Sequence, residues 1–323
     1  MRVSREVRLA RHPAGAPQRE DFEIAEVELP EPSDGELLVQ STLLSVDPYM
    51  RLRMRDPAFL GRAFGGNGIG RVLVSRHHGF EEGELVRHRG GLCDLFRTDG
   101  ADIAKIDHPA GLPLETQLSV FGGIGLCAYG GLFETGRLRD GEEVFVSAAA
   151  GAVGSLAAQI AKIRNCHVVG STSSEDKAHW LRSRGIEMIN YRTHDIVEAL
   201  AAATPRGIDV YFENVGGRHL DAALARMNVD GRIPVCGMIS AYNRNASPVE
   251  TLHEIIMKRV TIRGFQFTEF NHMLDRFRQD MTDWLLSGAI ETRETIFDGL
   301  DAAPDALIAI FDSRNIGKTL VRV

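Results

Sequence analysis

The chain has 323 residues, of which 44% are hydrophobic and 25% are charged, and its formal net charge is -7. This length and apolar content favour a globular protein with two domains, each with its own core. The acidic balance, without a block of basic residues, argues against nucleic-acid binding. No uncharged apolar run has membrane-spanning length, and the N-terminus lacks the apolar part of a signal peptide, so we expect a cytoplasmic protein.

The cysteines are far apart in the sequence and form no C-x-x-C pair: Cys93, Cys127, Cys166 and Cys236. This spacing predicts reduced, mostly buried thiols, with no disulfide and no zinc site.

Short β patterns separated by turns extend from the N-terminus to about residue 118. Apolar and polar residues alternate there, which predicts half-buried strands at 22–29, 36–41, 70–74 and 84–86. A glycine-rich segment, residues 64–70, precedes the third of these strands. The sequence therefore predicts a compact β-rich domain with few helices.

Within this domain, the segment Ser45 to Arg51 is a junction between a loop and a helix. Asp47 can cap the helix, and Pro48 suits its first turn. For Tyr49 two interpretations stand side by side: it lines a pocket, or it packs with its hydroxyl satisfied locally.

The second domain begins with a glycine-rich hinge at about 118–137, followed by a strand at 144–146. Ala148, Gly151 and Gly154 then form an A-x-x-G-x-x-G pattern. By itself this pattern is weak, but a helical pattern at 156–164 and a strand at 167–171 complete a βαβ unit. Small residues let the backbone approach a pyrophosphate, and the helix N-terminus favours an anion.

The end of the second strand of this unit indicates which dinucleotide is bound. NAD sites usually carry an Asp or Glu here, to bind the ribose 2′-hydroxyl. The chain instead has Ser171 to Ser174, with Glu175 as the first carboxylate and Lys177 beyond it. Hydroxyls and a lysine suit a 2′-phosphate, which predicts NADP(H). The alternative is that Ser174 only caps the next helix and that Lys177 is solvated, and both interpretations can be true.

Strands and helices continue to alternate beyond this point, which predicts an α/β fold with a doubly wound parallel sheet. The predicted helices are 174–184, 195–203, 219–227 and 271–287, and the further strands are 188–190, 208–213, 231–236 and 260–265. The loops at the carboxyl ends of these strands face the cofactor crevice. The last residues, 315–323, resemble a strand that returns to the first domain.

Six motifs resemble the prostaglandin reductase and leukotriene 12-hydroxydehydrogenase group of the medium-chain dehydrogenases/reductases: DPYMR (47–51), AAAGAVG (148–154), NYRT (190–193), ENVGG (213–217), CGMISAYN (236–243) and NIGKTLV (315–321). This group contains zinc-free, NADP-dependent reductases of double bonds conjugated to a carbonyl. The resemblance implies a GroES-like domain, residues 1–118 completed by 295–323, and a Rossmann domain, residues 119–294. It also implies a homodimer, for which the apolar strand near 260–267 offers a sheet edge.

The residue patterns and the resemblance together give the candidate cofactor contacts: Ala150, Gly151, Ala152, Val153, Gly154, Ser173, Lys177, Tyr191, Asn214, Cys236, Gly237, Ile239, Ser240, Tyr242, Phe265, Phe267 and Asn315. Among them, Lys177 and Tyr191 would hold the 2′-phosphate. The chain departs from the group at Gly65 to Gly68, where relatives often have a Gln-rich segment. Because this region shapes the substrate pocket, the eicosanoid substrates of the group are not transferred to this chain.

The resemblance implies reduction of an α,β-unsaturated aldehyde or ketone by hydride transfer to the β-carbon. Negative charge develops on the carbonyl oxygen, so a hydrogen-bond donor is needed there. Tyr242 is the candidate donor, and Tyr49 is the competing candidate. No metal is required, because the conjugated alkene accepts hydride without a Lewis acid. Three alternatives stay open: an NADPH quinone oxidoreductase, a zinc-dependent alcohol dehydrogenase, and a non-catalytic, crystallin-like NADP-binding protein.

Overall fold

The computed structural model describes residues 1–243 and 248–323. The chain divides into two compact units. The first unit is Met1–Ala110 with Glu294–Val323, and the second is Gly111–Arg293. The predicted domain boundary at residue 118 lies inside the second unit.

The described residues form fifteen strands: β1 (Arg2–Leu9), β2 (Phe22–Leu29), β3 (Leu37–Val46), β4 (Gly68–Ser75), β5 (Leu85–His88), β6 (Leu95–Thr98), β7 (Ile103–Lys105), β8 (Glu143–Val146), β9 (His167–Thr172), β10 (Glu187–Asn190), β11 (Ile208–Phe212), β12 (Met227–Val235), β13 (Thr261–Gly264), β14 (Glu294–Asp298) and β15 (Lys318–Arg322).

They also form ten α-helices: α1 (Met50–Arg53), α2 (Thr116–Ser119), α3 (Gly123–Gly130), α4 (Ala152–Ile163), α5 (Glu175–Arg182), α6 (Ile196–Ala203), α7 (Arg218–Arg226), α8 (Glu254–Lys258), α9 (Leu274–Leu286) and α10 (Ala303–Phe311). Within the described ranges, no helix is long and apolar enough to cross a membrane.

The first unit is built on a seven-stranded sheet around β3. This strand pairs antiparallel with β4, β6 and β15, and nearly all of its side chains are buried. Apolar residues at alternate positions meet in a core of Leu37, Val39, Val72 and Val86. Thr319 in β15 lies opposite Val46 at the end of β3, so the C-terminal segment belongs to the sheet of the N-terminal region.

The second unit contains six parallel strands in the order β10-β9-β8-β11-β12-β13. This is the 3-2-1-4-5-6 order of the Rossmann fold. Buried apolar residues of these strands and of α6 and α7 form one core, which includes Phe145, Val169, Leu200, Leu224 and Ile233. The predicted α/β fold, a GroES-like β-rich part with a doubly wound parallel sheet, is confirmed.

Element boundaries differ from the sequence-based expectation at several places. Helix α4 begins at Ala152 rather than at residue 156, and β12 begins at Met227 rather than at residue 231. The predicted helix 271–287 is a 3-10 helix, Phe267–Met273, followed by α9. Strands β1, β6, β7 and β14 were not predicted. Charged residues occupy many positions of β1 and β14, and pairing with a neighbouring strand selects the extended form.

Candidate active site

A tight turn joins the carboxyl end of β8 to the N-terminus of α4. Ala148 has a φ of 48°, and its carbonyl oxygen accepts a hydrogen bond from the amide of Gly151 at 2.9 Å. A Cβ on Gly154 would lie 2.4 Å from the same oxygen. Glycine at this position is therefore required for α4 to approach the turn so closely.

The first turn of α4 presents backbone N–H groups without a capping side chain. The first N–H groups of a helix have no acceptor within it, and they lie at its positive end. The amides of Ala152, Val153 and Gly154 are such groups, and these residues are the ones predicted to contact a pyrophosphate. Gly151, Ala152 and Val153 are half-buried, and with Ala150 before them they form a cradle suited to a phosphate.

The carboxyl ends of β9 and β10 bring a second set of predicted residues together. The last residue of β9, Thr172, lies opposite the last residue of β10, and its carbonyl oxygen accepts the amide of Tyr191 at 3.1 Å. Ser173 is buried at this tip. Ser174 caps α5 by accepting the amide of Lys177 at 3.4 Å.

The Lys177 side chain is buried, so it is not the solvated lysine of the alternative interpretation. Burial lowers the pKa of Lys177 to about 8, and the positive charge of Arg192 contributes to this shift. Arg192 was not predicted as a site residue. The motif contains it directly after Tyr191, but only the fold brings its charge near Lys177.

Glu213 is buried and connects the loops that follow β8, β11 and β12, through hydrogen bonds of its side chain and of its backbone carbonyl. Glu213 Oε1 accepts the hydroxyl of Ser147 at 2.9 Å and the amide of Val215 at 2.6 Å. The backbone carbonyl of Glu213 accepts the amides of Cys236 at 2.9 Å and Gly237 at 3.2 Å. Burial raises the pKa of Glu213. The sequence analysis used this residue only as part of a motif, because its role depends on contacts between distant loops.

The loop after β11 also carries Asn214, a predicted cofactor contact. The side-chain amide of Asn214 donates to the backbone carbonyl of Ser147 at 2.7 Å. The backbone carbonyl of Asn214 accepts the amide of Ile239 at 3.1 Å. Ser240 donates its hydroxyl to the carbonyl of Val215 at 2.6 Å. These bonds fix the segment that leads to Tyr242 against the carboxyl edge of the sheet.

Tyr242 directly follows a 3-10 helix, Ile239–Ala241. Its hydroxyl oxygen accepts the amide of Met238 at 3.4 Å. A Cβ on Gly237 would lie 3.1 Å from this oxygen, so glycine leaves the space that the phenol uses. Burial raises the pKa of Tyr242, which keeps the phenol protonated at neutral pH.

Beyond β13 the two predicted phenylalanines have different surroundings. Phe265 packs between Phe212 and Phe270, with ring centroids 6.1 and 5.3 Å away. Phe267 is partly exposed, and a Cβ on Gly123 would lie 3.2 Å from its ring. The hinge glycine thus gives room for the Phe267 ring.

Two predicted site residues, Tyr49 and Asn315, lie in the first unit, whereas the others lie in the second. Tyr49 is half-buried directly before α1. Burial and the negative charge of Asp47 raise its pKa to about 12, so its hydroxyl is also protonated. Asn315 donates its side-chain amide to the carbonyl of Gly317 at 3.3 Å.

The prediction that Asp47 caps α1 is wrong. Its Oδ1 accepts the ammonium of Lys318 at 2.8 Å, and its Oδ2 accepts the hydroxyl of Ser45 at 2.5 Å. Lys318 also donates to the carbonyl of Val46 at 2.7 Å. A buried cation on β15 outcompetes the helix amides for this carboxylate, because an ion pair satisfies both buried charges.

Across residues 1–243 and 248–323, no three His, Cys, Asp or Glu side chains are grouped as metal ligands would be. The Rossmann strand order, the glycine turn at an uncapped helix and the β-rich first unit define a medium-chain dehydrogenase/reductase.

Comparison with known proteins agrees with this class. The family described as "N-terminal domain of oxidoreductase" matches residues 5–106, and the family described as "Zinc-binding dehydrogenase" matches residues 152–287. Prostaglandin reductase 1 of Bos taurus is 37% identical over 321 residues, which cover 97% of each chain. The 2-alkenal reductase (NADP(+)-dependent) of Nicotiana tabacum is 38% identical over 336 residues, covering 99% of this chain and 97% of the relative.

Among solved structures, CurA of Vibrio vulnificus in complex with NADPH superposes with a TM-score of 0.93 at 36% identity, and 99% of each chain is covered. The chain therefore belongs to the medium-chain dehydrogenase/reductase family, in the group that contains prostaglandin reductase 1 and 2-alkenal reductase. It is an oxidoreductase.

Proposed function

We propose that this protein uses NADPH to reduce the carbon–carbon double bond of α,β-unsaturated aldehydes and ketones. The observation that carries the proposal is the protonated phenol of Tyr242, fixed at the carboxyl edge of the Rossmann sheet by the Met238 amide. The relationship to an alkenal reductase and a prostaglandin reductase supports it.

The cofactor fits the residues of the second unit. The uncapped first turn of α4 would hold the pyrophosphate through the amides of Ala152 to Gly154, since these groups are unpaired donors at a positive helix end. Ser173, Lys177 and Tyr191 would hold the 2′-phosphate, and Arg192 would supply a second positive charge there. We assign residues 119–294 to this cofactor domain, and residues 1–118 with 295–323 to the substrate domain.

When bound, NADPH supplies a hydride to the β-carbon of the substrate. Negative charge then develops on the carbonyl oxygen, and the Tyr242 hydroxyl donates a hydrogen bond to it. A phenol has one donor and two acceptor positions, and the Met238 amide occupies an acceptor position. This bond helps to orient the ring. Tyr242 or water then protonates the α-carbon.

The test is the pair of variants Tyr242→Phe and Tyr49→Phe, assayed with an enone, an enal and a quinone. Removing one oxyanion donor should lower kcat for the enone by roughly ten- to a thousandfold in Tyr242→Phe, with little change in NADPH affinity. A structural hydroxyl would instead cost about 1 kcal/mol of stability and leave turnover intact.

Tyr49→Phe is the matched control, because both phenols are half-buried and protonated. If Tyr49→Phe abolishes enone reduction while Tyr242→Phe keeps the parent rate, the two roles are reversed. A parent enzyme that oxidises NADPH with the quinone but not with the enone would replace the proposed activity with quinone reduction.

We also propose that the protein acts as a homodimer in the cytoplasm. Strand β13 ends the six-stranded sheet, and all four of its residues are exposed. In the adjacent α8, the apolar side chains of Ile256 and Met257 are 79% and 72% exposed. An open strand edge beside an exposed apolar patch favours pairing across a two-fold axis.

A further inference from the structure

His219 is a buried histidine in the first turn of α7, and its ring contacts the ring of Tyr191. The two ring centroids lie 5.0 Å apart, and the ring planes are nearly perpendicular, at 86°. Tyr191 follows β10, whereas His219 lies beyond β11. The helices α6 and α7 pack against each other and bring the two rings together. The sequence analysis did not select His219, because only the fold places it beside Tyr191.

The imidazole of His219 carries no charge at neutral pH. The residue is 7% exposed, and burial lowers its pKa to about 4, with a contribution from the positive charge of Arg218. Its Nε2 atom is buried and forms no hydrogen bond with any described residue. A neutral ring does not attract a phosphate, and a buried nitrogen without a partner does not stabilise the fold. We therefore look to the ring contact with Tyr191 for the effect of this histidine.

Hydrogen bonds fix the backbone on both sides of the ring contact. The amide of Arg192, directly after Tyr191, donates to Oδ1 of Asn190 at 3.1 Å. In α7, the amide of His219 donates to the carbonyl of Gly216 at 3.3 Å. Because the backbone is fixed, the contact between the two rings determines how the Tyr191 side chain is oriented.

An ion pair joins the beginnings of α6 and α7 next to this contact. Nη2 of Arg218 donates to Oδ2 of Asp195 at 2.6 Å. Asp195 also caps α6, where its Oδ1 accepts the amide of Val197 at 2.9 Å. These bonds hold the first turn of α7, and with it His219, beside the segment that follows β10.

The orientation of the Tyr191 ring matters for a hydrogen bond to a phosphate. Tyr191 is half-buried and packs against the core of the second unit. An edge-to-face contact between aromatic rings favours one arrangement of the pair over others. A hydroxyl that donates to an anionic oxygen needs a short distance, about 2.5–2.7 Å, and the bond weakens steeply when its angle departs from linear. A ring that is free to turn would therefore lose much of this bond.

We propose that His219 is a positioning residue for the 2′-phosphate. Its ring holds the Tyr191 ring in the orientation in which the Tyr191 hydroxyl donates to the phosphate, and it thereby increases the preference for NADPH over NADH. This inference rests on the proposed binding of the 2′-phosphate by Tyr191. It adds a residue that acts through Tyr191.

The experiment measures the Kd of NADPH and of NADH by fluorescence titration for three variants of His219. His219→Leu has no ring and should lower the preference for NADPH by about three- to tenfold, the effect expected for the loss of one edge-to-face contact. His219→Gln keeps an N–H group but no ring, and should lower the preference as well. His219→Phe keeps a ring without nitrogen, and should retain most of the preference. The Kd of NADH should stay unchanged, because NADH has no 2′-phosphate.

A variant of Tyr191 tests whether His219 acts through this residue. Tyr191→Phe removes the hydroxyl and should lower the preference for NADPH by about tenfold or more. His219→Leu should cause no further loss when it is combined with Tyr191→Phe, since residues that act as one unit are not additive.

His88 in β5 offers a matched control. It is 2% exposed, burial lowers its pKa to about 4, and its ring lies 4.7 Å from that of Phe96. His88→Leu removes this second buried, ring-paired histidine and should leave the preference for NADPH unchanged. Urea denaturation of every variant establishes that folded proteins are compared.

An unchanged preference in His219→Leu, together with the expected loss in Tyr191→Phe, would overturn the positioning role and leave the cofactor assignment intact. An equal weakening of NADPH and NADH binding would overturn it as well, because a structural role has that effect. The same holds if His219→Gln keeps the preference while His219→Phe loses it, since the nitrogen would then matter rather than the ring. Should His219→Leu fail to fold, this contrast between the other two variants decides the question.

If Tyr191→Phe leaves the preference unchanged, the assignment of Tyr191 to the 2′-phosphate fails, and the positioning role fails with it. Because cofactor binding is measured directly, none of these results depends on whether the protein reduces enones.

Discussion

Breaking the ion pair between Lys318 and Asp47 from one side should destabilise the protein far more than breaking the exposed ion pair of Arg322 on the same strand. Lys318 is 2% exposed, and its ammonium donates to Asp47 at 2.8 Å and to the Val46 carbonyl at 2.7 Å. Lys318→Met removes the cation and leaves the Asp47 carboxylate buried, where the Ser45 hydroxyl still donates to its Oδ2. Breaking a buried pair from one side costs about 3–5 kcal/mol.

This cost is a large part of the total stability, because domains are stable by only about 5–15 kcal/mol. The double variant Lys318→Met with Asp47→Asn removes both charges, so it should be less destabilised than Lys318→Met alone. Residues in direct contact show such non-additive effects. Urea denaturation followed by circular dichroism measures the free energy of unfolding of each variant.

The chain offers a matched control on the same strand. Arg322, also in β15, pairs with Asp298 at 2.8 Å, but the two side chains are 54% and 75% exposed. Surface pairs contribute about 0–1 kcal/mol, so Arg322→Met should change the free energy of unfolding by no more than this. The reasoning is refuted if Lys318→Met costs as little as Arg322→Met, or if the double variant is destabilised at least as much as Lys318→Met alone.

Three other predictions concern the cofactor and the assembly. Lys177→Ala should lower the preference for NADPH over NADH in kcat/KM, with Lys162→Ala, in α4, as control; an unchanged preference would contradict the 2′-phosphate assignment. Because burial lowers the pKa of Lys177 to about 8, the lysine loses its charge as the pH rises through 8. The Kd for NADPH should then increase by up to about tenfold between pH 7.5 and 9, while that for NADH should not. Ile262→Lys places like charges at the β13 edge and should shift the dimer toward monomer by light scattering, whereas Val197→Lys on α6 should not. A monomeric parent protein at micromolar concentration would remove the dimer proposal.

The order of secondary structure in the second unit was predictable from the sequence. The apolar run before Ala148, the glycines at 151 and 154 and the alternating strands and helices are local signals, because each depends on residues close together in the chain. The parallel Rossmann sheet follows from them, since parallel strands joined by helices have few possible arrangements. The cap at Ser174 was predictable for the same reason.

Other features required the tertiary structure. Asp47 was predicted to cap a helix, but it binds Lys318, which is 271 positions away. A sequence pattern contains no information on which distant cation will be buried beside a carboxylate. The loop anchor at Glu213 and the charge of Arg192 near Lys177 depend in the same way on strands that are neighbours only in the folded sheet.

Tyr49 and Tyr242 illustrate the difference between what the sequence predicts and what requires the tertiary structure. The sequence analysis left Tyr49 open between lining a pocket and packing, and it made Tyr242 the candidate donor to the carbonyl oxygen, with Tyr49 as the competing candidate. The folded chain decided that the Tyr242 hydroxyl accepts the Met238 amide and that Arg53 stacks on Tyr49 beside Gly65. These contacts form only after the backbone is folded, because the position of a side chain depends on the segments packed around it, and those segments come from elsewhere in the sequence.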